Sequence, residues 1–413
     1  MSKETNSETM WKKLVARWLK LPEGKRSESV LNHLLLPWFS GYWIFPNPKF
    51  KGEEIADALL LWGDVLFIIQ IKTRKGIKSD IKWAENKISE EKARIAKWID
   101  RLKSEESIIL RNKFREIEFP RDKVKYYYGL VVLNHHSDPY DANEFLYKGN
   151  EPLDIPIQVI SLVDIHQLLR YINTPWDLVI YFESRSRLSH KTSLKVHQED
   201  VAFSMNLEHI YHESAYDIGK DEADKCNEFM DVTIKAINGN LKEGDPGLRQ
   251  YAVSFLIDAS IGGQLNRAPK DKKGNFIIDN KFVMLTKAVE VLSEMSRLRR
   301  AFYGEIFLKQ AEIALNTGND EYEVGRSTKR GISYGFLATS KSGKELEDFL
   351  GSIAMSTLAD HGNYEGIFIA APPENVFSLY QTFSGWFTGD KGGFLLPTEI
   401  ETLQSTILYI DLH

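Results

Sequence analysis

A single cysteine, Cys226, stands in the 413 residues of this chain. That excludes an intrachain disulfide and a metal centre built from cysteines. No run approaches the roughly 18 consecutive apolar residues that a membrane-spanning helix needs. The opening residues, MSKETNSETMWKKL, are polar and hold no apolar signal core. These absences lead us to expect a cytoplasmic protein in a reducing setting, with no membrane partner. Excess positive charge is missing too, since the formal net charge is −5. A protein that coats nucleic acid through overall charge is therefore disfavoured, while a local basic groove stays open, because the field near a site follows local charge. There is no internal repeat and no low-complexity tract.

What is present is an ordinary globular composition, 43% hydrophobic and 27% charged, in a chain long enough for two domains. Residues 8–20 carry Trp11, Leu14, Val15 and Trp18 at helical spacing. A second helix is expected after Ser27, a suitable N-cap, with Val30, Leu31, Leu34 and Leu35 as its stripe, disturbed at Pro37. Residues 42–50 read as an extended segment broken by two prolines. Residues 56–62 and 65–73 then read as two strands around a Gly63-Asp64 turn. Their near-continuous apolar character signals a sheet covered on both faces.

A helix is expected over 82–104, with Ile88, Ile95, Ile99 and Leu102 inward. Strands follow at 125–134 and 155–162, and helices at 163–172 and 176–186. This is an α/β arrangement with a mixed sheet. Beyond about residue 200 the pattern turns helical, most clearly over 285–315, read as one helix; 267–278 reads as an exposed polar loop. Residues 331–340, 343–361 and 366–372 suggest a strand-helix-strand unit. We expect one domain over 1–195 and an α-rich one with this small α/β unit over 196–413, the latter a sensor, partner-binding or self-association region.

The segment EIADALLLWGDVLFIIQIKTRK, residues 54–75, carries the chemistry. In an antiparallel hairpin the start of one strand lies beside the end of the next. Asp57 therefore meets Gln70 and Lys72, which are two apart and share a face. Glu54 and Glu28 stand close enough in the chain order to join them. A carboxylate, an amide oxygen and the main-chain carbonyl of Ile71 are hard oxygen donors suited to Mg²⁺ or Mn²⁺. Lys72 would hold an attacking water or stabilise charge on a phosphate. A plain core hairpin is the competing reading, but it must account for the amide of Gln70 inside FIIQIK.

Asp57-x12-Gln70-Ile71-Lys72 on such a hairpin resembles the PD-(D/E)xK phosphodiesterase superfamily, in the Gln-x-Lys form similar to Mrr-like restriction endonucleases. The resemblance covers roughly residues 26–175. It implies a restriction-endonuclease-like mixed sheet flanked by helices. It also implies Glu28 as the acid on the first helix, Asp57 on the second core strand, and Gln70 with Lys72 on the third. The activity implied is metal-dependent hydrolysis of nucleic acid, DNA above RNA and endonucleolytic above exonucleolytic. Such nucleases joined to an unfamiliar module resemble bacterial antiphage defence effectors. The departure is Gln70 in place of Glu or Asp, which removes one negative charge. The alternative is a decayed, non-cleaving module that binds nucleic acid or a protein.

Residues 70–103 hold eleven basic residues against five acidic ones. Arg74, Lys75, Lys78, Lys82 and Lys87 follow the motif and form a candidate backbone-contact surface; Trp83 is either part of it or core. His209 with His212, and His135-His136, lack further ligands and read as structural. Thr339 to Glu345 lacks a phosphate-loop pattern. Arg297, Arg299 and Arg300 read as surface ion pairs in preference to nucleic-acid contacts.

Overall fold

A computed structural model of the chain describes residues 42–74, 81–104, 107–134, 157–169, 174–188, 231, 235, 246–272, 276–327, 331–388 and 405–412. The helices expected over 8–20 and after Ser27, together with Glu28, Lys75, Lys78, Cys226 and the histidines 135, 136, 209 and 212, lie outside these. Two units divide the chain: residues 1–173 with 181–205, and residues 174–180 with 206–413. Among the described residues no helix is long and apolar enough to cross a membrane.

The first unit is built on a five-stranded mixed sheet in the order β1 (Ile44–Pro46), β4 (Ala58–Trp62), β5 (Val65–Thr73), β8 (Tyr126–Asn134), β9 (Ile157–Ser161). The β1–β4 and β4–β5 pairs are antiparallel; β5–β8 and β8–β9 are parallel. Gly63 turns β4 into β5 with φ of 56°, and Asp64 needs no positive φ, the pattern of a two-residue II′ hairpin. Lys51 and Gly52, both at positive φ, close a small ribbon of β2 (Lys49–Phe50) and β3 (Glu53–Glu54). The extended reading of 42–50 thus resolves into two short strands of different sheets.

Helix α1 (Ile81–Ser104) lies in the crossover between β5 and β8, followed by a short ribbon of β6 (Ile109–Arg111) and β7 (Glu116–Glu118). Ile88, Ile95, Ile99 and Leu102 point into the core, as their spacing requires, with Leu59, Leu61, Leu66 and Ile68 opposite them. Those sheet residues fix which face α1 covers: even-numbered positions of β5 and odd-numbered positions of β4. On the other face Phe67 stacks on Tyr128 at 4.8 Å and meets Phe182. Trp83 packs partly buried against the core. Two further helices are α2 (Leu162–Leu169) and α3 (Pro175–Leu188), the latter with residues 174–180 in the second unit; they start at Ser161 and Thr174, whose hydroxyls accept from the N–H groups of Asp164 and Asp177.

The second unit contains α4 (Pro246–Val253), α5 (Leu256–Arg267), α6 (Asn280–Ser293) and α7 (Arg297–Thr317). A sheet follows, of β10 (Glu321–Ser327), β11 (Ile332–Ala338), β12 (Glu365–Ala371) and β13 (Thr406–Asp411). The expected strand-helix-strand unit is present as β11, α8 (Gly343–His361) and β12, with the two strands parallel. One sheet face packs Leu337, Phe368 and Ala370 on Leu346, Leu350 and Ala354 of α8. From the other, Phe336 meets Tyr303 and Phe307 of α7. The edge strands β10 and β13 and helix α9 (Pro373–Thr388) carried no sequence signal strong enough to be read.

Two expectations are corrected here. Residues 285–315 are two helices, because Ser296 caps α7 by accepting the Arg299 N–H, and Arg300 donates to the Leu292 carbonyl at the end of α6. And Arg297, Arg299 and Arg300 are not surface groups; they are 0%, 4% and 0% exposed. Arg297 and Arg300 both pair with the buried Asp258, and the N–H of Arg297 reaches Asp177 at 2.9 Å. Burial pulls the Arg300 guanidinium down to about 10 and pushes the Asp177 carboxyl up. Asp258→Ala would leave two buried guanidinium groups without their shared carboxylate and should cost about 3–5 kcal/mol. Urea unfolding checks this; a loss under about 1 kcal/mol would mean the cluster is well solvated.

Candidate functional site

The site grows from a mismatch in strand length. β4 pairs with β5 only from Trp62–Val65 to Ala58–Ile69, whereas β5 continues to Thr73 against β8 on its other edge. Residues 70–73 therefore have no backbone partner from β4. Within a strand the N–H and C=O of one residue point to the same edge. The main chain of Ile69 faces β4, so that of Ile71 faces the same edge, beyond the point where β4 begins.

Asp57 fills that position. It lies one step before β4, opposite Gln70 by continuation of the register, and its Oδ2 accepts the Ile71 N–H at 2.6 Å. The carboxylate replaces the missing strand partner and is itself buried, 8% exposed. The carbonyl of Ile71 opens to the same edge. Gln70 is fully buried under α1, with Nε2 donating to the Ile55 carbonyl at 3.1 Å. Its Oε1 has no hydrogen-bond partner among the described residues. A buried amide oxygen without a donor is costly and asks for a ligand or a cation.

Lys72 lies on the same face, but its ammonium is turned to α1, where Glu91 Oε1 lies 3.2 Å away. Glu91 was not among the residues singled out from the sequence. The signal was there: Ala84, Ile88, Glu91, Ile95, Trp98 and Leu102 follow each other at alternating steps of four and three, and all are buried. A lone carboxylate in such a stripe calls for a cation; which cation it meets, Lys72 one residue before the end of β5, is set by how α1 lies on the sheet.

The remaining candidates fall as follows. Glu54 is not turned to Asp57 by any contact seen; it pairs with Arg94 at 3.6 Å, and Arg94 also donates to the Glu54 carbonyl at 2.9 Å. Lys82 is exposed on α1, and Lys87 pairs with Glu90 one turn on. Arg74 continues the β5–β8 ladder through its N–H to the Asn134 carbonyl at 3.1 Å. Farther along α1, Lys97 and Arg101 clamp Glu53 of β3 at 3.0 and 2.8 Å. Hydrogen bonds from those two hold the Glu53 carboxyl below its usual range. The basic run is thus partly neutralised by the β2–β3 ribbon.

Among the described residues no three His, Cys, Asp or Glu side chains gather as a metal-holding set. The candidate donors at the hairpin end are instead mixed: one carboxylate, one amide oxygen without a partner among the described residues, and one main-chain carbonyl. All are hard oxygens, the kind Mg²⁺ takes alongside retained waters. Comparison with known protein families, with curated proteins and with solved structures finds no match for this chain.

Because Asp57 stands in for a strand, Asp57→Ala should strand the Ile71 N–H in a buried setting and cost about 1–3 kcal/mol. Asp57→Asn keeps an acceptor and should lose clearly less. Parallel urea titrations of the two variants decide it; equal losses would mean the Ile71 contact carries no weight.

Proposed function

We propose that the chain is a metal-dependent nuclease, a phosphodiesterase with DNA as its substrate, and that the end of the β4–β5 hairpin is its active site. The observations that carry this reading are the buried Oε1 of Gln70, which has no hydrogen-bond partner among the described residues, and the Asp57 carboxylate bonded to the N–H of the next residue, Ile71. In the five-stranded sheet β4 is the second strand and β5 the third. The resemblance to the PD-(D/E)xK superfamily implies the aspartate on the first of these and the Gln-x-Lys motif on the second; Gln70 and Lys72 lie on β5, and Asp57 immediately precedes β4. A restriction-endonuclease-like core is part of the same proposal.

Asp57, Gln70 and the Ile71 carbonyl would hold the divalent cation. When bound, it supplies Lewis-acid polarisation of a phosphate oxygen and of a water molecule. Asp57 contributes the anionic oxygen and is held rigid by the Ile71 N–H. Gln70 contributes a neutral oxygen, fixed because its amide nitrogen is tied to Ile55. Lys72, a quarter exposed, offers its ammonium to the water or to the charge growing on the phosphate as the P–O bond to the leaving group breaks.

A second reading has its own support: Glu54 is occupied by Arg94, and Gln70 brings no charge, so Asp57 is the one anionic donor contributed by the described hairpin. On that reading the module binds nucleic acid or a protein without cutting. Plasmid and linear DNA incubated with Mg²⁺, Mn²⁺ or chelator separate the two. A nuclease cuts only with metal, and Asp57→Asn and Lys72→Ala each lower the rate by at least about 10²-fold. A binding module retains DNA in a gel shift, cuts nothing, and is indifferent to Asp57→Asn. Gln70→Glu restores a charge near the cation and should lower the half-saturating Mg²⁺ concentration by about tenfold or more. An unchanged metal requirement would remove Gln70 from the metal site.

A further inference from the structure

We infer that Glu91 is the positioning residue for Lys72: it holds the lysine ammonium at the hairpin end, and it does so from helix α1, not from the strands that carry the motif. The inference rests on the nuclease reading for its meaning, though the contact itself does not.

A lysine at the end of a strand has four rotatable side-chain bonds and, unpaired, distributes its ammonium over a wide volume. Lys72 is still a quarter exposed, so burial alone does not fix it. Glu91 can. The residue is 5% exposed, and its backbone is locked by the stripe of Ala84, Ile88, Ile95, Trp98 and Leu102 that seats α1 on the sheet. Oε1 meets the Lys72 ammonium at 3.2 Å. Oε2 has no hydrogen-bond donor among the described residues, and Arg94 Nη1 stands off at 4.0 Å. Packing alone would favour an apolar residue at this point of the stripe, since burying an incompletely bonded carboxylate is unfavourable.

Arg94 completes a chain of charges. It is anchored on β3 through the carbonyl and carboxylate of Glu54. The sequence Glu54, Arg94, Glu91, Lys72 therefore runs from the β2–β3 ribbon across α1 to the end of β5, alternating in sign. The Arg94 guanidinium limits how far Glu91 can withdraw, and Glu91 limits how far Lys72 can wander. A shift of the reacting group by about 1 Å is enough to cost roughly 10²-fold in rate.

The test uses the full chain with Glu91→Gln, which keeps the shape, and Glu91→Asp, which keeps the charge. Circular dichroism and urea unfolding establish that both fold. The first readout needs neither metal nor DNA: reductive methylation of lysines in the folded protein, quantified by peptide mass spectrometry, with the exposed Lys97 as internal reference. We expect the labelling rate of Lys72 relative to Lys97 to change severalfold in Glu91→Gln and to return toward the original in Glu91→Asp. The second readout is cleavage, where Glu91→Gln should lower kcat about 10²-fold with KM for DNA little changed, and Glu91→Asp should recover part of it. Unaltered Lys72 labelling in Glu91→Gln overturns the inference, whatever the cleavage result. So does a raised KM with kcat intact, which would make Glu91 part of DNA binding. Altered labelling in a protein whose unsubstituted form cuts no DNA upholds the pairing and sinks only the nuclease reading.

Discussion

The hydrogen bond from the Ile71 N–H to the Asp57 carboxylate is the contact on which the rest of the site depends. It exists because β5 outruns β4. Where a strand loses its neighbour, its main-chain groups must find other partners or face water. Asp57 answers that need with a side chain, and in doing so brings a negative charge to the edge where the Ile71 carbonyl also points. One residue thus ends a strand, satisfies an orphaned donor and creates an electrostatic focus. Had β4 begun two residues earlier, the same edge would be closed by ordinary sheet pairing.

Around that point the first unit retains polarity where hydrophobic packing would be simpler. Gln70 is sealed between Ile68 and the covering helix, half-satisfied by Ile55. Glu91 interrupts an otherwise apolar stripe, and Lys72 and Arg94 divide its charge between them. Partly satisfied buried polar groups lower stability. Gln70, Lys72 and Glu91 gather these polar groups at one end of one hairpin.

The second unit handles buried charge differently. Asp258 is shared by Arg297 and Arg300, and Asp177 takes the first N–H of α7. These groups knit helices together at the break between α6 and α7. Gly304 lets α7 approach the turn after α4, since a Cβ there would overlap the Val253 carbonyl oxygen. The chemistry is structural: the charged groups are enclosed and satisfy backbone ends, and this explains why an Arg-rich stretch reads as surface in the sequence yet belongs to the core.

The sequence by itself determined the local pieces. Apolar runs and the Gly63-Asp64 pair specified the hairpin, the spacing of Ile88, Ile95, Ile99 and Leu102 specified α1, and the pattern over 332–371 specified β11, α8 and β12. Period-two pleating was also enough to put Gln70 and Lys72 on one face of β5. The continuous periodicity over 285–315 hid a break that depends on a cap and a long-range arginine contact. Only tertiary structure decided which charges meet. Glu54 turning to Arg94, Lys72 to Glu91, and the basic face of α1 to Glu53 are pairings between segments 19 to 48 residues apart. Such pairings depend on the register of a helix against a sheet, and no local spacing encodes that register.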